Sequence, residues 1–323
     1  MNSSFHRTTL VTLAVGAALV AGCQSTGTHV ISRLAFQKEP LVVAVVVDSV
    51  PEAAAAPVSP FTTYAPLQAA LSKAIDRPVA LEPCFAFQAE QGIATGWYSL
   101  AVVTPAQYAR TPAERRPRIL AVSSDPDGDV LRSALLVTAT TSAIQGPADL
   151  RGKIVAFGPR DDSLLHHGAL KLLRDNGIQP SDLQTELLPV PGSLRHLPDA
   201  RTMAHAVATS QVAAGFIDED DYNALPEQST ASGETGRQDM RVIGRTMGLP
   251  TRLLLVGHNL DPDTAARVQA FLVRVGREQP EVLKPLRARD YRVPTEDVLA
   301  ACGQLEPDPA TALPLPFVAP PKK

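Results

Sequence analysis

Residues Leu150–Gly177 constrain the fold more than any other stretch of this chain. Ile154–Phe157 is a short apolar run that Gly158 and Pro159 close, the mark of a buried strand ending in a tight loop. Asp161, Asp162 and Ser163 each offer a helix N-cap. Leu165, Ala169, Leu172 and Leu173 then recur at helical spacing until Gly177 stops the helix. A strand that passes through a small loop into the N–H groups of a helix is a common anion holder in α/β proteins. The loop is therefore the first place to look for a ligand.

The same alternation runs through the rest of the chain. Leu41–Val47 is a continuous, β-branched-rich run, as expected of a central strand covered on both faces. The long connection Asp48–Pro60, which holds Ser49, lies at its C-terminal end, where open α/β sheets place ligands. Tyr64–Ile75 presents Leu67, Ala70, Leu71, Ala74 and Ile75 on one helical face. Strands are expected at Pro78–Glu82, Leu100–Val103 (ending at Thr104), Ile119–Ser123, Leu135–Ala139 and Ala213–Ile217, and helices at Phe87–Ala94 and Thr202–Ser210. Asp218–Asp221 reads as an acidic loop and Gln228–Gln238 as an exposed polar one. Val242–Arg245 and Leu253–Val256 read as strands returning across the middle. Asp261 and Pro262 open a helix whose apolar face holds Val268, Leu272 and Val275. From Glu306 to Lys323 the chain is proline-rich, a disordered or extended tail. Alternating strands and helices predict a doubly wound α/β architecture, and 323 residues suffice for two domains or lobes.

The N-terminus carries His6 and Arg7, an apolar run over Leu10–Ala21, and then Val20, Ala21, Gly22 and Cys23. A charged start, a short apolar centre and small residues before a cut site describe a secretory signal. A cysteine directly after Val-Ala-Gly resembles the bacterial lipoprotein processing box. This implies cleavage after residue 22 and a lipid on Cys23, with Gln24 permitting outer-membrane sorting as in enteric lipoproteins. Residues 24–40 would then be a tether. Only Cys84 and Cys302 remain, and two readings stand for them: a disulfide, which an oxidising compartment permits, or two independently buried thiols.

A net charge of -3 and 5% aromatic residues argue against nucleic acid as a partner. The chain has no dinucleotide or nucleotide-phosphate loop, no zinc-protease helix motif and no nucleophile elbow. No nucleophile and base pair supports an enzyme, and no cofactor is implied. His166 and His167 are adjacent, so on a helix they point about 100° apart and only one faces any given metal. The expectation is one histidine near a cleft, the other in solvent, and no metal site. Asp218–Asp221 could grip a cation or be a solvated loop, and Arg252 could clamp an anion or lie at the surface.

Four segments carry a resemblance. Pro66–Val79, Gly96–Tyr108, Ile144–Gly158 and Ala214–Tyr222 resemble, in order, segments of the periplasmic solute-binding proteins of phosphate, phosphite and phosphonate uptake, with Ile144–Gly158 the most specific. The similarity runs from about Leu41 to Val275. It implies a type 2 periplasmic-binding-protein-like α/β fold, two lobes closing on a ligand about two crossing strands. The lobes would comprise residues 41–131 with 259–305, and 132–258. The crossings would fall near Arg132–Ala139 and Leu253–Gly257, which brings Cys302 into the lobe of Cys84 and favours their pairing.

The binding residues carry over poorly. Where the family has a hydroxyl-rich loop for phosphonate oxygens, this chain has Asp162–Leu165, and only Ser163 keeps a hydroxyl. A carboxylate at that place repels a phosphonate. The family's ligand histidine falls on Ala200, or on His196 after a four-residue shift. Its amine-binding aspartate falls on Arg252 and its third-strand tyrosine on Val103.

Two functions follow as expectations. The first is a lipid-anchored solute-binding protein that delivers a small, polar or anionic ligand, not a phosphonate, to an ABC permease, with contacts from Ser49, Tyr64, Thr104, Asp162, Ser163, His166, Glu219 and Arg252. The second is a sensory or protein-interaction lipoprotein on the same scaffold.

Overall fold

The computed structural model describes residues 39–46, 60–125, 127–188, 191–230, 234–286 and 288–306. The signal, Cys23, most of the tether, Ser49 and the proline-rich tail lie outside them. Two mixed sheets flanked by helices make up the molecule.

The first sheet has the order β11-β4-β10-β3-β1-β2. Its strands are β1 (Leu41–Val46), β2 (Val79–Cys84), β3 (Leu100–Val103), β4 (Arg118–Ser123), β10 (Leu253–Val256) and β11 (Tyr291–Arg292). β1 runs parallel to β2 and β3, while β10 enters antiparallel between β3 and β4. β1 has no polar face because both of its faces are covered. Val43 and Val45 pack with Leu67 and Leu71 of α1 (Pro60–Ile75) and with Val268 and Leu272 of α7 (Pro262–Glu278). Val42, Ala44 and Val46 pack with Ala89 and Ile93 of α2 (Ala86–Thr95) and with Val298 of α8 (Glu296–Gly303). Burial of that kind is worth about 1.5–3 kcal/mol for each large aliphatic side chain, which explains why the strand tolerates no alternation.

The second sheet has the order β7-β6-β8-β5-β9, from β5 (Ala134–Ala139), β6 (Val155–Phe157), β7 (Arg195–His196), β8 (Ala214–Asp218) and β9 (Met240–Arg245). The helix after β6 starts as a wide π turn over Ser163–Gly168, continues as α4 (Ala169–Asp175), and stops at Gly177, whose φ is 74°. α5 (Ala200–Ala208) covers the opposite face, with Met203, Ala204 and Val207 buried against β8.

Four expectations require correction. β5 lies wholly in the second sheet and β10 wholly in the first, so the chain crosses in the preceding segments, 124–133 and 246–252. There Arg132 and Leu249 exchange backbone hydrogen bonds of 3.0 and 2.9 Å, a two-stranded link between the lobes. The acidic run is not a loop: Asp218 caps α6 (Glu219–Ala224), accepting from the Asp220 N–H at 3.0 Å, and acids in a first helical turn complement the helix dipole. Cys84 and Cys302 share one core cluster but are free thiols. Cys84 is held by the Tyr98 hydroxyl beside Glu82, and Cys302 lies near Arg116, so each thiol has its own surroundings. His167 does not face solvent. It is 2% exposed, because its turn packs between the second sheet and the lobe junction.

Candidate functional site

The loops that follow β3 and β6 meet between the lobes. From the first lobe comes Thr104, the N-cap of α3 (Pro105–Arg110). Its hydroxyl accepts from the Gln107 N–H at 3.2 Å, and Gln107 Oε1 accepts from the Thr104 N–H at 2.8 Å. From the second lobe comes Asp162, whose Oδ1 accepts from the N–H groups of Leu164 and Leu165 at 2.8 and 2.7 Å. Ser163 reaches across the junction, its Oγ accepting from the Ala106 N–H at 2.9 Å. Asp161 pairs with Arg110 over the same gap at 2.8 Å. Five N–H groups suited to an anion are thus held by the chain's own oxygens.

Below these polar contacts the lobes share an apolar seam. Leu164 of the second lobe is buried with Ala109 and Leu305 of the first and with Leu249 of the crossing segment. Gly158 makes the approach of strand and turn feasible, since a Cβ there would stand 2.5 Å from Leu165 Cβ. The wide turn then carries His166 inward, where it is 1% exposed and edge-on to Phe157 with ring centroids 5.8 Å apart. His196 Nε2 lies 3.2 Å from His166 Nδ1, and His196 Nδ1 lies 2.9 Å from the Leu194 carbonyl. A carbonyl only accepts, so His196 carries its hydrogen on Nδ1. Its Nε2 then accepts from His166 Nδ1–H while both rings are neutral.

Beside this pair opens a cavity of about 340 Å³ at the C-terminal ends of β6 and β7, lined by Arg160, Ser193, Arg195 and His196 among others. Arg195 is paired with Glu186 at 3.0 Å, whereas Arg160 has no ion pair among the described residues. The cavity is a mostly apolar opening, with Leu188, Leu194 and Leu197 in its wall, that carries the cation of Arg160 beside the junction.

The hinge holds a second ionic group. The Arg132 guanidinium contacts Asp218 at 2.5 Å, Asp220 at 3.1 Å and Asp125 at 3.7 Å. Asp125 follows β4, Asp218 ends β8 and Asp220 lies in the first turn of α6, so one cation ties both lobes. Asp125 Oδ1 also accepts three backbone N–H groups, from residues 127, 128 and 129. Burial pushes the Asp218 carboxyl above its usual range despite the nearby arginine. Burial opposes the Arg132 charge, but Asp218, Asp220 and Asp125 outweigh it and raise that group as well. Carboxylate oxygens of Asp125, Asp127 and Asp220 lie within 4.8 Å of one another, and the arginine supplies the cation for this cluster.

The residues expected at the site divide accordingly. Thr104, Asp162 and Ser163 come together at the lobe junction, while His166 turns inward onto Phe157 and His196 of the second lobe. Tyr64 and Arg252 lie in the first lobe beside Tyr291, whose hydroxyl is pushed up by burial, with Arg252 acting against that shift and Tyr64 with it. The Arg252 N–H donates to Ser123 Oγ at 3.0 Å, fixing it to β4. Glu219 pairs with Arg245 on β9, away from the junction. Arg110, Arg132 and Arg174, the last with Glu306 at 3.1 Å, carry ion pairs between the lobes, and none lies in a motif that marks it. Only the folded register brings them to their partners.

Comparison with known proteins follows this geometry. Residues 52–299 match the family described as ABC transporter, phosphonate, periplasmic substrate-binding protein. The fold is similar to that of XAC2383 from Xanthomonas citri bound to ATP, at a TM-score of 0.57 and 18% identity over 81% of this chain and 94% of that one. It is also similar to PhnD1 from Prochlorococcus marinus in complex with methylphosphonate, at 0.50 and 11% over 81% and 96%. A third similar structure is Mh-p37 of Mycoplasma hyorhinis, described as a putative thiamine pyrophosphate transporter, at 0.53 and 8% over 82% and 98%. No curated protein matches the sequence.

Proposed function

The chain belongs to the phosphonate-type periplasmic substrate-binding proteins of ABC transporters, and within that family we propose that it is a lipid-anchored member whose ligand is a small polar or anionic molecule other than a phosphonate. The family is one of binding proteins, not enzymes. Anchoring rests on Val20–Cys23 and the charged, apolar start before it, with Gln24 permitting the outer membrane. Among the described residues no helix is long and apolar enough to cross a membrane.

The ligand reading rests on one observation: Asp162 and Ser163 already occupy N–H groups at the junction with which an anion would be held. A phosphonate there would meet the Asp162 carboxylate at close range, and like charges repel. The ligand is therefore expected at the adjoining cavity, where Arg160 offers a cation. The ligands named for the similar structures, ATP and methylphosphonate, differ from each other, and at 18% and 11% identity they support the fold alone. Ligand at this cavity would contact the second lobe beside its junction with the first and would act by favouring one arrangement of the lobes, which a permease reads.

A second reading, a sensory or protein-interaction lipoprotein, draws on the apolar seam of Leu164, Ala109, Leu249 and Leu305, through which the lobes pack directly against each other. A thermal-shift screen of the mature chain against phosphonates, other oxyanions, carboxylates and amines separates the two, since a ligand that binds only the native state raises the midpoint. A rise with a carboxylate or a non-phosphonate oxyanion supports the transport reading, and Arg160→Ala should abolish it. A rise with phosphonates alone overturns the ligand assignment. No rise with any class favours the second reading.

A further inference from the structure

The turn that follows α8 is fixed to one lobe by its backbone and to the other by its side chains. α8 packs into the first lobe through Val298 and Cys302. Arg116 then holds the turn. Its guanidinium lies 5.2 Å from the Tyr108 ring centroid and donates to the Gly303 and Leu305 carbonyls at 3.2 and 3.5 Å. It also donates to the Thr111 and Ala109 carbonyls at 2.9 and 3.3 Å. A planar guanidinium whose donors fork to four carbonyls ties the turn firmly to α3.

Beyond that point the side chains change lobe. Leu305 is 1% exposed and stands in the seam with Ala109 of the first lobe, Leu164 and Ala134 of the second, and Leu249 of the crossing segment. Glu306 reaches Arg174 of α4 at 3.1 Å. Neither crossing segment supplies this link. Separating Ala109 from Leu164 would leave Leu305 packed on one of them at most and return apolar surface of the other to water.

We propose that Leu305 and Glu306 form a latch that holds the lobes in their joined arrangement, with Leu305 giving it strength and Glu306 giving it register. Burial divides the roles. Leu305 is withdrawn from water, whereas the Glu306 side chain is 72% exposed, and a pair open to solvent contributes little. The seam is a small cluster apart from the main cores of both lobes, so the turn can leave it without either core unfolding. The resting protein is therefore kept joined by its own chain. A ligand or partner that needs the lobes apart must first displace Leu305, and this holds for either reading of the function.

Amide hydrogen exchange of the full chain, followed residue by residue, tests the latch. The Ala106 N–H is bonded to Ser163 Oγ across the junction and reports separation of the lobes. Val268 in α7 and Phe216 in β8 report the two cores. Exchange through local opening scales with the opening equilibrium. Leu305→Ala should speed exchange at Ala106 about tenfold or more while Val268 and Phe216 keep their rates. Glu306→Arg, which sets two arginines face to face, should speed it about two- to fivefold, and adding Arg174→Glu should restore the original rate. An Ala106 rate that either variant leaves unmoved, or that the charge swap leaves unrestored, overturns the proposal. Equal acceleration at Ala106, Val268 and Phe216 overturns it too, since Leu305 would then be ordinary core. Should Leu305→Ala fail to fold, the Glu306→Arg chain and its swap decide the matter alone.

Discussion

Replacing Arg132 with methionine tests the hinge cluster most directly. The substitution keeps the aliphatic stem and removes the charge that faces Asp218, Asp220 and Asp125. Removing one partner of a fully buried pair costs about 3–5 kcal/mol. The Arg132 side chain is 25% exposed and Asp220 48%, so water relieves part of this and about 2–3 kcal/mol is expected. For lobes of this size that lowers the midpoint by about 4–12 °C. The pH dependence carries the sign. Burial holds the Asp218 carboxyl above its ordinary value of 3.8, and Arg132 is the strongest influence opposing that shift. Without the arginine it rises further. Between the ordinary and the raised value the native state binds more protons than the unfolded chain, so stability falls as pH rises. The deficit of Arg132→Met should therefore be larger at pH 8 than at pH 5. Asp218→Asn keeps the cap on α6, because asparagine caps as well as aspartate, and should recover much of the loss in the double variant. Calorimetric scans of the four chains at both pH values measure all of this. A deficit below about 1 kcal/mol, equal at both pH values and untouched by Asp218→Asn, would refute the reasoning, because coupled neighbours deviate from additivity by more than that.

Three further outcomes follow from the packing. Burial pushes the Cys84 and Cys302 thiols up to about 12, so neither should react with iodoacetamide at pH 8 until the chain is unfolded; an intact mass two hydrogens short of the reduced value would show a bridge instead. In Gly92→Ala the new Cβ would stand 2.1 Å from Tyr98 Cδ2 and displace the ring that holds Cys84. A loss of about 1–3 kcal/mol in urea titrations is expected, and an unchanged midpoint contradicts the packing. Ser163→Ala leaves the Ala106 N–H without its acceptor; a loss of about 1–3 kcal/mol should accompany faster hydrogen exchange at Ala106, and unaltered exchange there counts against the cross-lobe bond.

The strands were legible wherever burial on both faces imposed a continuous apolar run. Leu100–Val103 and Leu253–Val256 appear with the expected bounds, and β1 with its expected start, Val47 lying outside the described residues. Caps were equally readable: Asp261, followed by Pro262, accepts from the Thr264 N–H at 2.8 Å. Long-range partnerships were not. Asp218 read as the start of an acidic loop after the Ala213–Ile217 strand, a cation grip or a solvated run, because local sequence does not reveal that Arg132, 86 positions away, lies beside that strand end. His167 read as solvent-facing because an ordinary α-helix was assumed, and the wide turn at Ser163–Gly168 buries it with its neighbour. At the lobe junction the sequence pointed to the place and to Ser163, but the hydroxyl's partner is a backbone N–H, which no side-chain pattern advertises.

The position of β10 has a consequence for how the protein is made. β10 separates β3 from β4 in the first sheet, and β11 then closes its outer edge. Until residues 253–256 have emerged, β3 and β4 have no shared neighbour, and the first lobe exists only as fragments. The second sheet draws all five strands from one uninterrupted span, Ala134–Arg245. During synthesis or export from the N-terminus, the middle of the chain is therefore the earliest part able to complete a core, with the first segment waiting for its C-terminal strand. Exposed β1 and β3 are aggregation-prone in that interval, and a chaperone that shields Leu41–Val46 and Leu100–Val103 would protect the yield.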